Sequence, residues 1–445
     1  MTVRLRTAGS VRKVALGTFV LGMAAALPAT GLVSSATAAP GNPGTPSAPT
    51  VVFSEGFGTG LASGELSKLA DYAGGKYTAD PAWLSAAAGN GLVIDGTTTD
   101  ADQVTAGYTA ATGAGVTSPT KGGELRELAT ILGALNGTSP DTANHAVTAY
   151  TDANPGANLV EFQTKNLLPL NADGRFLTIS ANVAVSNCVR ASAPLLKFYL
   201  VDAGTENVVN NTALNPCTGA PSDAPRAVTL TGGNAVLFDA DQVGIALRNE
   251  NGSGGGNDHA YDDVKVLDVT PQLDKDFVAT GDEQPGDPVD LVFTVTNTSE
   301  LGGKSGWSFT DKLSPGLEVA GDATSTCAAG DVTAVVGATS IKVENGDLAS
   351  GEASCTITVP VTADAEGTYK NGPENITSRG LDKPAVTEVV FTAPATPGSP
   401  EPVLPETGAP AAGNGDLWMT AGGAGLAVLG LTTVAIASRR KRTAL

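Results

Sequence analysis

The chain has 445 residues, 41% of them apolar and 5% aromatic, with a formal net charge of −19 from 26 basic and 45 acidic side chains. That balance excludes a nucleic-acid binder, whose phosphates need clustered Lys and Arg. The content of Val, Leu, Ile and Ala excludes disorder throughout, and the length suits about two domains.

The first 38 residues carry Arg4, Arg6, Arg12 and Lys13, then an apolar run from Val14 to Leu27, then Ala36-Thr37-Ala38. A basic start, a short apolar stretch and a small-x-small site predict a secretory signal peptide cut after Ala38. The apolar run is shorter than the roughly 20 residues a membrane helix needs. Residues 39–50 are proline-rich and read as an extended linker.

Residues 51–269 read as a first, strand-rich domain. It opens with Val51-Val52-Phe53-Ser54-Glu55-Gly56-Phe57-Gly58 and closes with Asn257-Asp258-His259-Ala260-Tyr261-Asp262-Asp263-Val264-Lys265. Strands are expected at 176–185, 195–201, 227–230, 242–247 and 262–269, separated by Gly and Asn clusters. Between 120 and 135, Leu125, Leu128, Ile131, Leu132 and Leu135 recur at helical spacing, which predicts one short amphipathic helix packed on the sheets. The opening and closing motifs resemble those of jelly-roll-like sandwich domains of actinobacterial surface proteins, and more loosely carbohydrate-binding jelly rolls.

That resemblance implies that the first and last strands are neighbours and that a structural Ca2+ sits beside them. Period-two geometry puts Glu55 on the face of Phe53 and Phe57, and Asp262 on the face of Ala260 and Val264. Both carboxylates are then expected to point inward, where an unpaired charge needs a cation or donors. Glu55 and Asp262 are the candidate Ca2+ ligands, with Asn257, Asp258 and Asp263 as further oxygen donors. Hydrogen-bonded carboxylates, or a surface acidic loop at Asp262-Asp263, are the alternative.

Residues 270–393 read as a second domain. Val289, Leu291, Phe293 and Val295 alternate with polar or exposed positions, and so do Cys355, Ile357 and Val359. Leu273-Asp274-Lys275, Thr296-Asn297-Thr298, the run from Asp311 to Leu317, and the paired Thr326-Cys327 and Ser354-Cys355 resemble the immunoglobulin-like repeat of bacterial surface proteins. The fold expected for the whole is therefore all-β, a jelly-roll-like sandwich followed by an immunoglobulin-like β-sandwich. All four cysteines fall in the exported part, and an even count there reads as disulfides. Pairing within each domain gives Cys188–Cys217 and Cys327–Cys355, though spacing alone leaves other connectivities open.

Residues 394–403 form a Pro-rich spacer, suited to extended polyproline II. A segment from 404 to 445 follows. It contains Leu404-Pro405-Glu406-Thr407-Gly408, an uncharged apolar run at 417–438 of transmembrane length, and Arg439-Arg440-Lys441-Arg442. Pentapeptide, span and basic tail in this order resemble the sorting signal of LPxTG surface proteins. The resemblance implies a sortase that cuts between Thr407 and Gly408 and joins Thr407 to a peptidoglycan amine. Without the two tails, which hold eight basic residues and one acidic, 18 basic face 44 acidic side chains, a net −26 on the displayed part.

Catalytic patterns are sparse. The two histidines, His145 and His259, lie in no HExxH, no GxSxG is present, and His259 reads as an exposed loop residue. The chain is read as no enzyme. Its expected role is adhesion or structural display at the cell wall. A non-catalytic carbohydrate-binding module is the alternative, and a surface hydrolase or pilus subunit ranks behind it. Lys275 and Asn375 resemble the Lys–Asn isopeptide pairs of pilin-type domains, but no adjacent carboxylate is assignable, and a solvated strand end is the preferred reading.

Overall fold

The computed structural model describes residues 42–393, apart from 88, 100–118, 151–153, 189–191, 203, 221–223 and 254–256. Two ten-residue strands, Phe176–Val185 and His259–Asp268, pair antiparallel and form the spine of the first sheet. Every position of Phe176–Val185 is buried, because one face meets a second sheet and the other meets a helix. Thr50–Glu55 and Ala146–Ala149 share the far edge of His259–Asp268, so the first and last strands of this region are indeed neighbours. The second sheet centres on Gln242–Asn249, flanked by Leu196–Asp202 and Leu159–Thr164. Between the two sheets lies a core of Phe57, Phe162, Ile179, Val183, Phe198, Leu200, Ile245 and Tyr261.

The helical stripe forms a helix of 18 residues, Pro119–Asn136. Leu125, Leu128, Ala129 and Leu132 bury themselves on the outer face of the first sheet, against Leu92, Ile94, Ala146, Ala184 and Ala260. Leu135 lies beyond the contact and is 41% exposed. The helix can press on the following 3-10 turn because residue 133 is glycine: a Cβ there would stand 2.0 Å from the Asp141 carbonyl oxygen.

In the second region, alternation builds the sheets as expected. Val289, Leu291, Phe293 and Val295 are buried, and Cys355, Ile357, Val359 and Val361 face them from the paired strand Ser354–Ala363. One sheet runs Gln272–Val278, Val289–Thr296, Ser354–Ala363, Leu317–Val319; another runs Ala329–Thr333, Ser340–Leu348, Lys304–Lys312, Ile376–Arg379. A separate ribbon pairs Gly367–Asn371 with Thr387–Phe391. With 46% strand and 10% helix, the protein is all-β. Cys188–Cys217 and Cys327–Cys355 are the disulfides, with Cα atoms 5.4 and 4.8 Å apart.

Both regions belong to one compact unit. Arg175 makes the joint, its guanidinium donating to Asp268 at 2.7 Å and also pairing with Asp382. Phe176 enters the second core, tight against Gly380, where a Cβ would stand 2.7 Å from the Phe176 ring. The described part of the segment read as an extended linker is docked as well. Ser299 N donates to Ser47 O at 2.7 Å, and Gly44 N to Thr296 Oγ1 at 2.9 Å.

Candidate functional site

The segments expected to be a signal peptide, 1–38, and a sorting signal, with Leu404, Pro405, Glu406, Thr407, Gly408 and the apolar run 417–438, lie outside the described residues. Among the described residues no helix is long and apolar enough to cross a membrane.

The candidate Ca2+ ligands are brought near the same strand pair but into separate hydrogen-bond networks. Glu55 accepts from the Tyr77 hydroxyl at 2.5 Å, the Tyr72 hydroxyl at 3.0 Å and Phe57 N at 2.9 Å. Both tyrosines are pushed up in pKa, first by burial and then by the Glu55 charge. Asp262 accepts from Asn136 at 2.7 Å, Asn144 at 2.8 Å and Asp263 N at 2.6 Å. Burial pushes its carboxyl up to about 7 despite those donors. The expected shared face of Ala260, Asp262 and Val264 is wrong. Asp263 takes φ 49° in a bulge, so Ala260 and Asp262 face the helix while Val264 and Val266 enter the inter-sheet core.

Asp263 instead accepts from Lys265 at 2.5 Å, and Asn257 donates to Asn251 O at 2.7 Å while accepting from Asn249. Asp258, 8% exposed, accepts from Ser186 N through its backbone carbonyl. Among the described residues no three His, Cys, Asp or Glu side chains form a group that could hold a metal.

His259 is not an exposed loop residue. It is fully buried at the start of its strand, with Nε2 2.8 Å from Glu161 Oε2 and Nδ1 2.9 Å from Asn257 O. Burial works against its protonation, but the charge and hydrogen bond of Glu161 outweigh it and raise the pKa. Both side chains are buried, and the pair ties the loop before this strand to Leu159–Thr164.

The most unusual chemistry lies in the second region. Lys275 sits on Gln272–Val278 with the parity of the buried Leu273 and Phe277, and Asp311 on Lys304–Lys312 with the parity of Phe309 and Leu313. Asn371 ends the strand of the ribbon. Lys275 Nζ donates to Asn371 Oδ1 at 2.5 Å and Gly372 O at 3.1 Å, and lies 3.6 Å from Asp311 Oδ2. Asn371 Nδ2 donates to that same Oδ2 at 2.9 Å. The side chains of Lys275 and Asp311 are fully buried, Asn371 is 0% exposed, and Asp311 Oδ1 has no partner. Burial pulls the Lys275 pKa down and pushes that of Asp311 up, each against the attraction of the other charge. Both directions favour moving the proton from amine to acid.

Lys275 is therefore not the solvated strand end preferred from sequence, and the asparagine beside it is Asn371 rather than Asn375. Asn375 accepts from Gly372 N and donates to Lys312 O, holding the 3-10 turn after Asn371. Asp311 was missed, although a charge at the apolar parity of a strand was a legible signal.

A second buried lysine offers a contrast. Lys304 Nζ donates to Asn297 Oδ1, to Glu300 Oε1 at 2.5 Å and to Gly302 O at 3.2 Å. Asn297 Nδ2 goes to the backbone carbonyls of Glu352 and Gly302, at 2.8 and 3.2 Å, and not to the carboxylate.

Residues 271–389, which contain the Lys275 and Lys304 sites, match a family model described as a domain of unknown function, DUF7933. No curated protein matches the chain. Among solved structures, the chain is similar to the K3 cleaved adhesin domain of Lys-gingipain from Porphyromonas gingivalis. Identity is 14% over 28% of this chain and 75% of that one, with a TM-score of 0.20. It is also similar to the CBM22-1–CBM22-2 tandem domain of Xyn10C from Paenibacillus barcinonensis, at 11% identity over 53% of this chain and 87% of that one, with a TM-score of 0.18. Neither likeness is close enough to extend to function.

Proposed function

We propose that this chain is a secreted surface protein of a Gram-positive cell wall, joined to peptidoglycan by a sortase through Thr407. Its two sandwiches, one jelly-roll-like and one immunoglobulin-like, serve structural display or adhesion outside the cell, without turnover of an external substrate. The observation that carries this is the order of Leu404-Pro405-Glu406-Thr407-Gly408, the apolar run 417–438 and Arg439-Arg440-Lys441-Arg442 in a chain that also holds a signal-peptide pattern. In such a transfer a sortase thiolate takes the Thr407 carbonyl, Gly408 leaves as an amine, and a peptidoglycan amine displaces the thiol.

Three features support the reading. Two disulfides suit an oxidising, extracytoplasmic setting. The docked 42–50 segment and the Arg175 joint suit a rigid displayed unit. Trp83 and Trp307 are buried, and the large exposed apolar residues of the described part are Leu135, Val278, Val335, Val336, Val386 and Val390. None of those largely exposed residues is aromatic, which favours display over a module that stacks sugars on open rings.

The test is fractionation of a sortase-bearing Gram-positive host expressing the full chain. Muramidase should release a form whose last residue, Thr407, carries a wall fragment, and a Thr407→Ala variant should stay in the membrane fraction. Wild-type chain recovered only with 417–438 intact would sink the proposal.

A further inference from the structure

We propose that Lys275 and Asn371 become joined by an intramolecular amide bond, formed without an enzyme, with Asp311 as the proton-transfer group. The inference rests on the geometry of the second sandwich and does not depend on wall anchoring.

The donor nitrogen, the carboxamide and the acid are all present in one buried site. Lys275 Nζ lies 2.5 Å from Asn371 Oδ1, one bond away from the carbon it must attack. Asp311 Oδ2 faces both nitrogens, at 3.6 Å from Nζ and 2.9 Å from Nδ2. A single carboxyl is thus placed to take a proton from the attacking amine and give one to the leaving group. Water, which would compete for the carboxamide and keep the lysine charged, is excluded, since the lysine and aspartate side chains and the whole of Asn371 are unexposed. The burial that favours a neutral amine and a neutral acid prepares the nucleophile and the proton donor together.

The step balances as follows. The Lys275 ammonium gives a proton to the Asp311 carboxylate, and the freed lone pair forms a bond to Asn371 Cγ. Asp311 then protonates Nδ2 and takes a second proton from the former lysine nitrogen. The tetrahedral centre collapses, the Cγ–Nδ2 bond breaks, and ammonia leaves. The products are a secondary amide, one ammonia and one proton left on Asp311. No oxidant or cofactor takes part.

The Lys304 site shows why lysine, asparagine and carboxylate together are not sufficient. There Glu300 holds only the ammonium, and the Asn297 amide nitrogen is held by backbone carbonyls that have no proton to give. Its leaving group has no acid, and no bond is expected at that site.

The test is tryptic peptide mapping of the full chain. In the cross-linked protein Lys275 escapes trypsin, so peptide 266–304 should appear joined to 371–379, lighter than their sum by one ammonia. The Asp311→Asn and Asp311→Ala variants, both checked by circular dichroism so that a folding failure of one leaves the other, should give the two segments unlinked, with cleavage after Lys275. Wild-type protein cleaved at Lys275 with Asn371 intact overturns the proposal. So does ammonia lost from a linear 371–379, which would be a succinimide at Asn371-Gly372. A cross-link that persists in a folded Asp311 variant overturns the role given to Asp311.

Discussion

Lys275 and Lys304 are both buried in the second sandwich, each with an asparagine oxygen, a backbone carbonyl and a carboxylate around its ammonium. At Lys304 the partners fall between residues 297 and 302, so one loop closes on one cation. At Lys275 the lysine and its two side-chain partners come from strands in three different sheets, and the asparagine is 96 residues away. The same three kinds of side chain therefore do two jobs. The first shapes a turn; the second ties the start of the sandwich to its end through an acid that touches both nitrogens. What a buried ion pair contributes depends on which groups it orients, since its own charges gain little beyond what desolvation costs.

The largest effect should come from breaking the long-range site. Asn371→Ala removes the amide that spans 96 residues, and closing a loop of that order is worth about 5 kcal/mol in the chain-entropy account. Calorimetry should show a much lower melting midpoint, and an unchanged midpoint would erase the distinction between the two sites. Lys304→Met should cost less, about 3 kcal/mol, by leaving Glu300 buried without its cation. Peptide maps of that variant should still contain the 275–371 link; its loss would mean that the two sites are coupled.

The last variant sharpens the contrast with a buried acid that has no lysine on it. Asp262 has its carboxyl pushed up to about 7 by burial, against about 3.9 in an unfolded chain. Between those values the native state binds more protons than the unfolded one, so stability is full below about pH 4 and falls as pH rises toward 7. Urea midpoints of wild type and Asp262→Asn at pH 4.5 and 7.5 should differ in slope, with the variant flatter. Parallel slopes would show that Asp262 titrates as an ordinary carboxylate.

Much of the second sandwich was legible in its residues. Alternation at 289–295 and 355–359 named the buried positions because one face of each strand meets a dry core. The helix was legible for the same reason, since Leu125, Leu128 and Leu132 keep a 3.6 period. The first region's closing strand was not. One residue, Asp263, bulges at φ 49° and flips every side chain after it, so parity counted across it places Val264 on the wrong face. His259 misled for a related cause: a histidine between Asp and Tyr looks exposed until Glu161, on a distant strand, is brought to 2.8 Å.

By itself the sequence determined what is linear or periodic: the order of Leu404-Pro405-Glu406-Thr407-Gly408, an apolar run and a basic tail, the strand faces at 289–295 and 355–359, and a cysteine count that matches two disulfides. These follow from near-neighbour spacing, and a local spacing survives whatever the rest of the chain does. Only the tertiary structure decided that Lys275 meets Asn371 and not Asn375, and that Asp311 stands between them. Those meetings depend on the register of three sheets, where a shift of one residue turns a side chain from the core to the solvent.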